Sequence, residues 1–244
     1  RYMNNRVLMV ASVPSMIGQF NMDNIQILLG MGYKVDVACD FSDMSVWPKA
    51  KVMSLKKQME ESGVLCLQVD FSRSPLSIKR HLNAYKKIVR LLKENDYEFI
   101  HTHTPIASAI ARLAAKKTHT KVIYTAHGFH FYHGAPLKNW VLFYPIEKHL
   151  SRYTDILITI NKEDYNRAKE KFKSSQIFYV PGIGVDIEKI NMCCVDIEHK
   201  RTELGLKEND IMLLSVGELS ERKNHEAVIR ALKVLNNDKI KYFI

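Results

Sequence analysis

The chain has 244 residues, of which 46% are hydrophobic and 25% are charged, a composition typical of a soluble globular protein with a large core. Its 36 Lys and Arg residues outnumber its 26 Asp and Glu residues and give a formal net charge of +10 at pH 7. This excess favours an anionic partner, such as a nucleotide, an acidic membrane surface or nucleic acid. No apolar run reaches the roughly 20 residues of a membrane span, and no signal peptide precedes the first strand. We therefore expect a cytoplasmic location.

The four cysteines match no familiar disulfide or zinc pattern. Cys39 and Cys66 fall in apolar, strand-like runs, where a small buried thiol is the expected role. Cys193 and Cys194 are adjacent, and no Cys-x-x-Cys pair occurs. Neither a disulfide framework nor a zinc site is predicted.

Apolar runs alternate with helical patterns through most of the chain. Strands are predicted at 7–11, 34–39, 64–69, 98–101, 122–126, 156–160 and 177–180. Helices are predicted near 21–31, 77–94, 106–112, 136–152 and 162–173, with a polar loop at 12–19. Strands alternating with helices imply right-handed crossovers. The predicted fold class is therefore α/β, with one doubly wound, mostly parallel, Rossmann-like sheet.

A second domain is predicted to begin near the end of the sequence. Residues 3–186 form the Rossmann-like domain, residues 187–209 a charged linker, and residues 210–244 the strand-helix-strand start of another domain. Such a short piece cannot bury a core by itself. We therefore expect the sequence to be part of a longer protein, with docking of this piece on the first sheet as the alternative.

Histidines follow two successive strands of the predicted sheet. His101 and His103 end one strand, and His127 ends the next, directly before Gly128. Ligands of open parallel sheets bind beyond the carboxyl ends of the strands, so these histidines indicate a site. We favour a substrate contact for His127, and the aromatic run that begins at Phe129 is typical of a substrate-facing loop. Ordinary loop histidines and a metal site stay open as alternatives.

The turn after the first strand lacks a dinucleotide fingerprint. Residues 12–18 read Ser-Val-Pro-Ser-Met-Ile-Gly and do not match G-x-G-x-x-G, and no Walker A segment occurs. A nicotinamide-dependent dehydrogenase is therefore disfavoured. Nucleic-acid binding has only the positive charge in its favour, because no recognition motif is present.

Two further segments combine basic residues with a helix. Arg222 and Lys223 lie between a predicted strand and a helix, where paired cations favour a diphosphate site. A solvated helix start is an equal alternative for them. Helix 77–94 carries six Lys and Arg residues opposite its apolar stripe. This helix could contact an anionic membrane surface, or it could simply pack on the sheet.

Four segments together resemble glycosyltransferase family 4, in its bacterial capsule and exopolysaccharide branch. They are residues 101–105, 125–128, 181–186 and 217–224, in the family's order along the chain. The resemblance implies a GT-B architecture of two Rossmann-like domains, the second truncated here. The N-terminal domain would hold the acceptor and the C-terminal domain a nucleotide-sugar, expected to be UDP-linked. The resemblance also implies a retaining transfer that needs no metal ion or other cofactor.

The same resemblance implies roles for particular residues. His127 would contact the transferred sugar, while Arg222 and Lys223 would neutralise the donor diphosphate as it departs. The segment 12–18 would close over donor or acceptor. Glu218 stands where the family commonly has arginine. The residues expected to contact substrate are Gly18, His101, His103, Thr104, Gly128, Phe129 and Glu218.

The expected activity is transfer of a sugar to a lipid-linked saccharide in surface polysaccharide synthesis, at the inner membrane face. The expected partners are a nucleotide-sugar, the lipid-linked acceptor and an anionic membrane, and nucleic acid is not among them. The family's paired donor-binding glutamates have no counterpart in this sequence, so we expect the 244 residues alone to be inactive. Two alternatives stay open: a nucleotide-sugar epimerase of the same fold, and a non-catalytic interaction module.

Overall fold

The computed structural model describes residues 5–244, except for the side chains of Lys189 and Arg222. Within this range the chain forms two units, one ending at Gly184 and the other beginning at Val185. None of the helices in the described range combines the length and the apolar character that crossing a bilayer requires.

The first unit alternates strands with helices. Its strands are β1 (Arg6–Val10), β2 (Lys34–Cys39), β3 (Leu65–Gln68), β4 (Phe99–Thr102), β5 (Lys121–Ala126), β6 (Ile156–Thr159) and β7 (Gln176–Tyr179). Its helices are α1 (Pro14–Phe20), α2 (Met22–Gly30), α3 (Lys49–Glu61), α4 (Ile78–Glu94), α5 (Pro105–Thr118), α6 (Leu137–Leu150) and α7 (Lys162–Lys171). A 3₁₀ turn, Ser151–Tyr153, follows α6.

These strands form one parallel sheet in the order β3-β2-β1-β4-β5-β6-β7. The predicted α/β class, with a doubly wound and parallel sheet, is confirmed. The chain moves outward in one direction from β1 to β3 and in the other from β4 to β7. The order therefore reverses between β1 and β4, and the crevice beyond their carboxyl ends is where such sheets bind ligands.

Alternate residues of β1 pack into two separate hydrophobic cores. Leu8 and Val10 lie with the buried side chains of α4 and α5 on one face of the sheet. Met9 lies on the other face with buried side chains of α1, α2 and α3. Because both faces are covered, β1 reads as a continuous apolar run in the sequence rather than as an alternating one.

The segment after β1 is mostly helical, which makes the predicted loop at 12–19 wrong. Pro14 occupies the first turn of α1, where its missing N–H is no loss, and Ile17 is fully buried. A Cβ on Gly18 would lie 2.3 Å from Cη2 of the indole of Trp47. A helix packed this tightly does not close as a flexible loop over a ligand. The close approach to Trp47 explains the glycine, and the substrate contact expected of Gly18 stays a prediction.

Helices α5 and α6 are joined by a buried ion pair. Arg112 donates to both carboxylate oxygens of Glu147, with N–O distances of 2.9 and 3.0 Å. Arg112 is only 1% exposed, and its guanidinium lies 4.5 Å from the ring centroid of Tyr124. The two-pronged geometry is the one in which an arginine–carboxylate pair is strongest. This pair fixes α6 beside the middle of α5.

The second unit contains α8 (Ile187–Asn191), α9 (Ile197–Glu203), β8 (Ile211–Leu214), α10 (His225–Leu235) and β9 (Ile240–Phe243). Strands β8 and β9 are paired in parallel, and α10 connects them along the chain, as the strand-helix-strand pattern predicted. The segment 187–209, predicted as a linker, contains two short helices. The side chain of Asp196 accepts the backbone N–H of His199 at 3.0 Å and so caps the start of α9.

Candidate active site

The carboxyl ends of β1 and β4 are joined by hydrogen bonds at the point where the strand order reverses. The hydroxyl of Thr104 accepts the backbone N–H of Ser12 at 2.9 Å, and the two hydroxyls lie 2.8 Å apart. The backbone N–H of His103 donates to the carbonyl of Val10 at 3.1 Å. The ligand crevice of the sheet is therefore lined by polar side chains that the protein itself holds in place.

Three histidines meet at this edge of the sheet, on β4 and directly after β4 and β5. The rings of His101 and His103 are 4.1 Å apart between centroids. Nδ1 of His103 lies 3.4 Å from Nε2 of His127, and Nε2 of His101 lies 2.9 Å from the hydroxyl of Thr125. The structure thus brings together His101, His103, Thr104 and His127, which the sequence predicted as one site.

Burial keeps this cluster uncharged at neutral pH. Removal from water lowers the pKa of His101 to about 4, with a smaller contribution from His127. The pKa of His103 is held well below its usual range by the same removal from water, then by His101 and His127. Burial also lowers the pKa of His127. A neutral imidazole can both donate and accept a hydrogen bond, as a sugar hydroxyl can. A phosphate is bound best by positively charged side chains, so this neutral cluster suits hydroxyl groups better than phosphate.

One ring nitrogen of the cluster is shielded from water and lacks a partner. Among the described residues, Nε2 of His103 makes no hydrogen bond, although its other nitrogen contacts His127. A buried polar atom of this kind is unfavourable unless a water molecule or a ligand meets it. The histidine cluster therefore retains hydrogen-bonding capacity that the protein does not use.

The loop after β5 is clamped by a carboxylate from α7. Asp164 accepts the backbone N–H of Phe129 at 2.9 Å and the side-chain amide of Asn161 at 2.7 Å. Gly128, between this anchor and His127, has a φ of +120°, a conformation that favours glycine. The clamp fixes the backbone immediately beside the histidine cluster.

Asp164 was missed by the sequence reasoning. The available signal was an N-terminal cap, since Asn161 accepts the backbone N–H of Asp164 at 2.8 Å and Asp164 lies three residues later. Such a pattern predicts a helix start, but nothing in it indicates that the carboxylate reaches a loop 35 residues earlier.

The ring of Phe129 lies in an aromatic cluster rather than at an open surface. It stacks on Phe131 at 4.9 Å between centroids and meets Phe172 edge-on at 5.5 Å. Only 6% of Phe129 is exposed. The ring therefore anchors the loop that carries Gly128, and a direct contact of Phe129 with substrate stays a prediction.

The remaining predicted site residues lie in the second unit, between β8 and α10. A Cβ on Gly217 would lie 3.5 Å from Cδ of Lys223, so the stem of that lysine lies across the glycine. The backbone N–H of Lys223 donates to Ser220, and Glu218 is exposed. The side chain of Arg222 lies outside the described residues. The strand-turn-helix context predicted for this segment is present.

Within the described residues, no group of three or more His, Cys, Asp or Glu side chains is arranged to hold a metal ion. His101, His103 and His127 instead contact one another and Thr125. The chemistry that this arrangement offers is neutral hydrogen bonding.

A family model described as Glycosyltransferase Family 4 matches residues 23–189, a segment that contains the histidine cluster and the Asp164 clamp. The chain belongs to glycosyltransferase family 4. Among its curated relatives is EpsD of Bacillus subtilis (strain 168), provisionally named a glycosyltransferase. EpsD is 34% identical over 238 residues, which cover 96% of this chain and 58% of EpsD.

A second curated relative comes from Escherichia coli and is named UDP-Gal:α-D-GlcNAc-diphosphoundecaprenol α-1,3-galactosyltransferase. It is 30% identical over 152 residues, which cover 61% of this chain and 39% of the relative. The chain thus spans only part of the length of these curated relatives.

Solved structures show the same fold. The crystal structure of Anabaena HepE with UDP and glucose superposes with a TM-score of 0.67 at 16% identity, covering 97% of this chain and 59% of HepE. Sucrose-phosphate synthase from Thermosynechococcus elongatus superposes with a TM-score of 0.63 at 14% identity, covering 98% of this chain and 61% of the synthase. At these identities the likeness concerns the fold alone, and it confirms the predicted GT-B class.

Proposed function

We propose that the protein carrying this chain transfers a sugar from a nucleotide-sugar to a lipid-linked saccharide during surface polysaccharide synthesis. The observation that carries the proposal is the neutral histidine cluster at the ligand crevice of a family 4 chain. The names of its relatives support it, since the Escherichia coli relative is named for a UDP-sugar and a diphosphoundecaprenol-linked acceptor. A UDP-linked donor and peripheral contact with an anionic membrane belong to the same proposal.

In this reaction the bond between the anomeric carbon and the donor phosphate oxygen breaks, and the acceptor hydroxyl oxygen bonds to that carbon. The acceptor proton leaves to the departing diphosphate, and the anomeric configuration is retained. His127 would contribute a hydrogen bond to a sugar hydroxyl, and Gly128 would leave space for the sugar beside the backbone. We assign no metal ion and no other cofactor to this chemistry.

The second unit would serve the leaving group. Negative charge grows on the diphosphate as the glycosidic bond breaks, and fixed cations stabilise that charge. Lys223, with Arg222 beside it in the sequence, is assigned this role. Glu218, which is exposed in the same turn, is assigned to donor binding.

The test is to express the whole reading frame and to incubate the protein with labelled UDP- and GDP-sugars and a bacterial lipid extract. We expect label from one UDP-sugar to appear in the lipid fraction, with the donor's anomeric configuration kept in the product by NMR. A folded protein that transfers no label would overturn the proposal. Conversion of the labelled sugar to its epimer would point to a nucleotide-sugar epimerase instead. The 244 residues alone are expected to be inactive in this assay.

A further inference from the structure

His103 is the most deeply buried member of the histidine cluster. It is 1% exposed, and its backbone N–H donates to the carbonyl of Val10 at 3.1 Å. Its ring contacts two others, with centroid separations of 4.1 Å to His101 and 5.7 Å to His127. A side chain packed in this way has little freedom to turn. The ring nitrogens of His103 therefore occupy fixed positions beside His127.

His127 is only half-buried, and its two ring nitrogens differ in their surroundings. Nε2 lies 3.4 Å from Nδ1 of His103. Nδ1 makes no hydrogen bond within the described range and, unlike Nε2 of His103, is not shielded from water. The ring of Phe20 packs beside the imidazole, with 5.7 Å between the centroids. Nδ1 is therefore the nitrogen of His127 that a ligand in the crevice can reach.

The contact between His103 and His127 couples the tautomers of the two rings. Both rings are uncharged at neutral pH. A neutral imidazole carries one N–H and one lone pair, and a hydrogen bond needs one of each. Either Nδ1 of His103 donates to Nε2 of His127, or the bond runs in the opposite direction. In the first arrangement both rings carry their proton on Nδ1, and in the second both carry it on Nε2.

The shielded nitrogen of His103 distinguishes the two arrangements. In the second arrangement, Nε2 of His103 would be an N–H group without an acceptor among the described residues and out of reach of water. Buried N–H groups without a partner are rare in folded proteins, and acceptors that lack a donor occur somewhat more often. The first arrangement leaves only a lone pair of His103 unmatched, and it is therefore favoured.

We propose that His103 is a positioning residue that holds the proton of His127 on Nδ1, so that His127 meets the sugar as a hydrogen-bond donor. The inference rests on the proposed function for the identity of the ligand, but not for the tautomer. It also specifies the group that His127 recognises, which is an oxygen of the transferred sugar that accepts a hydrogen bond. With the opposite tautomer, Nδ1 would offer a lone pair and would select a hydroxyl that donates.

The test measures the tautomer directly in the full-length protein, labelled with ¹⁵N in its histidine rings. The ¹⁵N chemical shift of a ring nitrogen differs between the protonated and unprotonated forms, and two-bond ¹H–¹⁵N spectra show both nitrogens of each ring. The signals of His127 are assigned by their loss in His127→Leu. At pH 7 we expect the proton on Nδ1 in both His103 and His127. A proton on Nε2 of His127, or an equal mixture of its tautomers, would overturn the proposal.

His103→Leu removes the ring nitrogens and keeps a side chain that suits a buried position. We expect His127 to populate both tautomers in this variant. Its kcat/KM for sugar transfer, calculated per folded molecule, should fall by about tenfold, because the ring of His127 also loses its fixed orientation. Circular dichroism measures the folded fraction. A loss of activity with an unchanged tautomer of His127 would show that His103 acts by another route, and would overturn the positioning role.

His133→Leu is the matched control, because His133 is exposed in the same loop as His127 and lies outside the histidine cluster. This variant should keep the proton of His127 on Nδ1. A changed tautomer in His133→Leu would show that any substitution near the loop alters His127, and would remove the specific role of His103.

The spectra require neither donor nor acceptor, so the two proposals fail separately. Sugar transfer by a protein whose His127 carries its proton on Nε2 would refute only the positioning role of His103. A proton on Nδ1 of His127 in a folded protein that transfers no sugar would refute only the proposed function.

Discussion

The carboxylate of Asp164 accepts the backbone N–H of Phe129 at 2.9 Å, which ties the start of α7 to the loop after β5. Between Phe129 and the histidine cluster lies Gly128, held at a φ of +120°. The backbone that would face a sugar is therefore positioned by a residue that need not touch the sugar. This arrangement separates the role of Asp164 from that of His127.

Replacing Asp164 by Ala should release the loop and lower kcat for sugar transfer by about tenfold, since small misplacements at a reaction centre are costly. The donor KM should change much less. Because an inactive unfolded fraction would also lower the apparent kcat at constant KM, kcat is calculated per folded molecule, with the folded fraction measured by circular dichroism. The matched control is Asp155→Ala, because Asp155 accepts the backbone N–H of Val122 at 2.7 Å at the other end of β5. Each variant loses a comparable carboxylate–amide bond, so an equal loss of kcat in both would contradict the positioning role.

The buried histidines predict a loss of stability in mild acid. The pKa of His101 is about 4 in the folded protein, below its usual value of 6.5, so the unfolded chain takes up a proton first as the pH falls. Stability from this group is thus complete above pH 6.5 and is lost as the pH falls from 6.5 toward 4. Between pH 7 and pH 5 the loss is about 2 kcal/mol.

Urea unfolding of the wild type and of His101→Gln at pH 7 and pH 5 measures this effect. The variant should lose about 2 kcal/mol less than the wild type over that interval. His149→Gln, at an exposed position on α6, should keep the wild-type pH dependence. Identical pH dependence in wild type and His101→Gln would show that His101 is not held neutral by burial.

The ion pair between α5 and α6 predicts a large cost for removing one partner. Glu147→Gln should lower the free energy of unfolding by about 3–5 kcal/mol, because the charge of Arg112 would stay buried without its counter-charge. The comparison is Glu60→Gln, which breaks the exposed pair with Lys56 and should cost less than about 1 kcal/mol. Denaturant titrations measure the free energy of unfolding of the two variants. Similar losses in both would show that burial does not make the Arg112–Glu147 pair more important for stability than an exposed pair.

The packing of α1 predicts opposite outcomes for two glycine substitutions. Gly18→Ala should lower the free energy of unfolding by about 1–3 kcal/mol, because the new methyl group meets the indole of Trp47. Gly30→Ala, near the end of α2, meets nothing within 4 Å and should be neutral or stabilising by up to about 1 kcal/mol. Thermal unfolding of both variants tests the pair. Equal effects would show that the indole of Trp47 moves aside without cost.

Most of the first unit could be predicted from the sequence because its strands are buried on both faces. A strand such as β1 then appears as an apolar run that no surface helix resembles. Helix α3 was not predicted because its sequence is largely polar, although Val52, Leu55 and Met59 follow a helical spacing and are buried. The crossover between β2 and β3 also required such an element, since parallel strands cannot be joined by a tight turn.

The site was predictable where it depended on strand ends and not where it depended on side chains meeting across the sequence. His101, His103 and His127 follow strands, and the sheet order brings them together. The clamp by Asp164 joins positions 35 residues apart, and no local pattern encodes such a contact. For the same reason, the tight packing behind Gly18 could not be distinguished from a ligand-facing glycine.

The bond between Ser12 and Thr104 spans 92 residues and joins the first strand to the fourth. The loop after β5 additionally requires Asp164, whose carboxylate accepts the backbone N–H of Phe129. On the ribosome, β1 would therefore emerge long before either of the groups that complete the crevice beside it. A nascent chain that ends before residue 164 lacks the carboxylate that holds the backbone at Phe129, so the loop beside the histidine cluster takes its folded position only after α7 has begun to emerge.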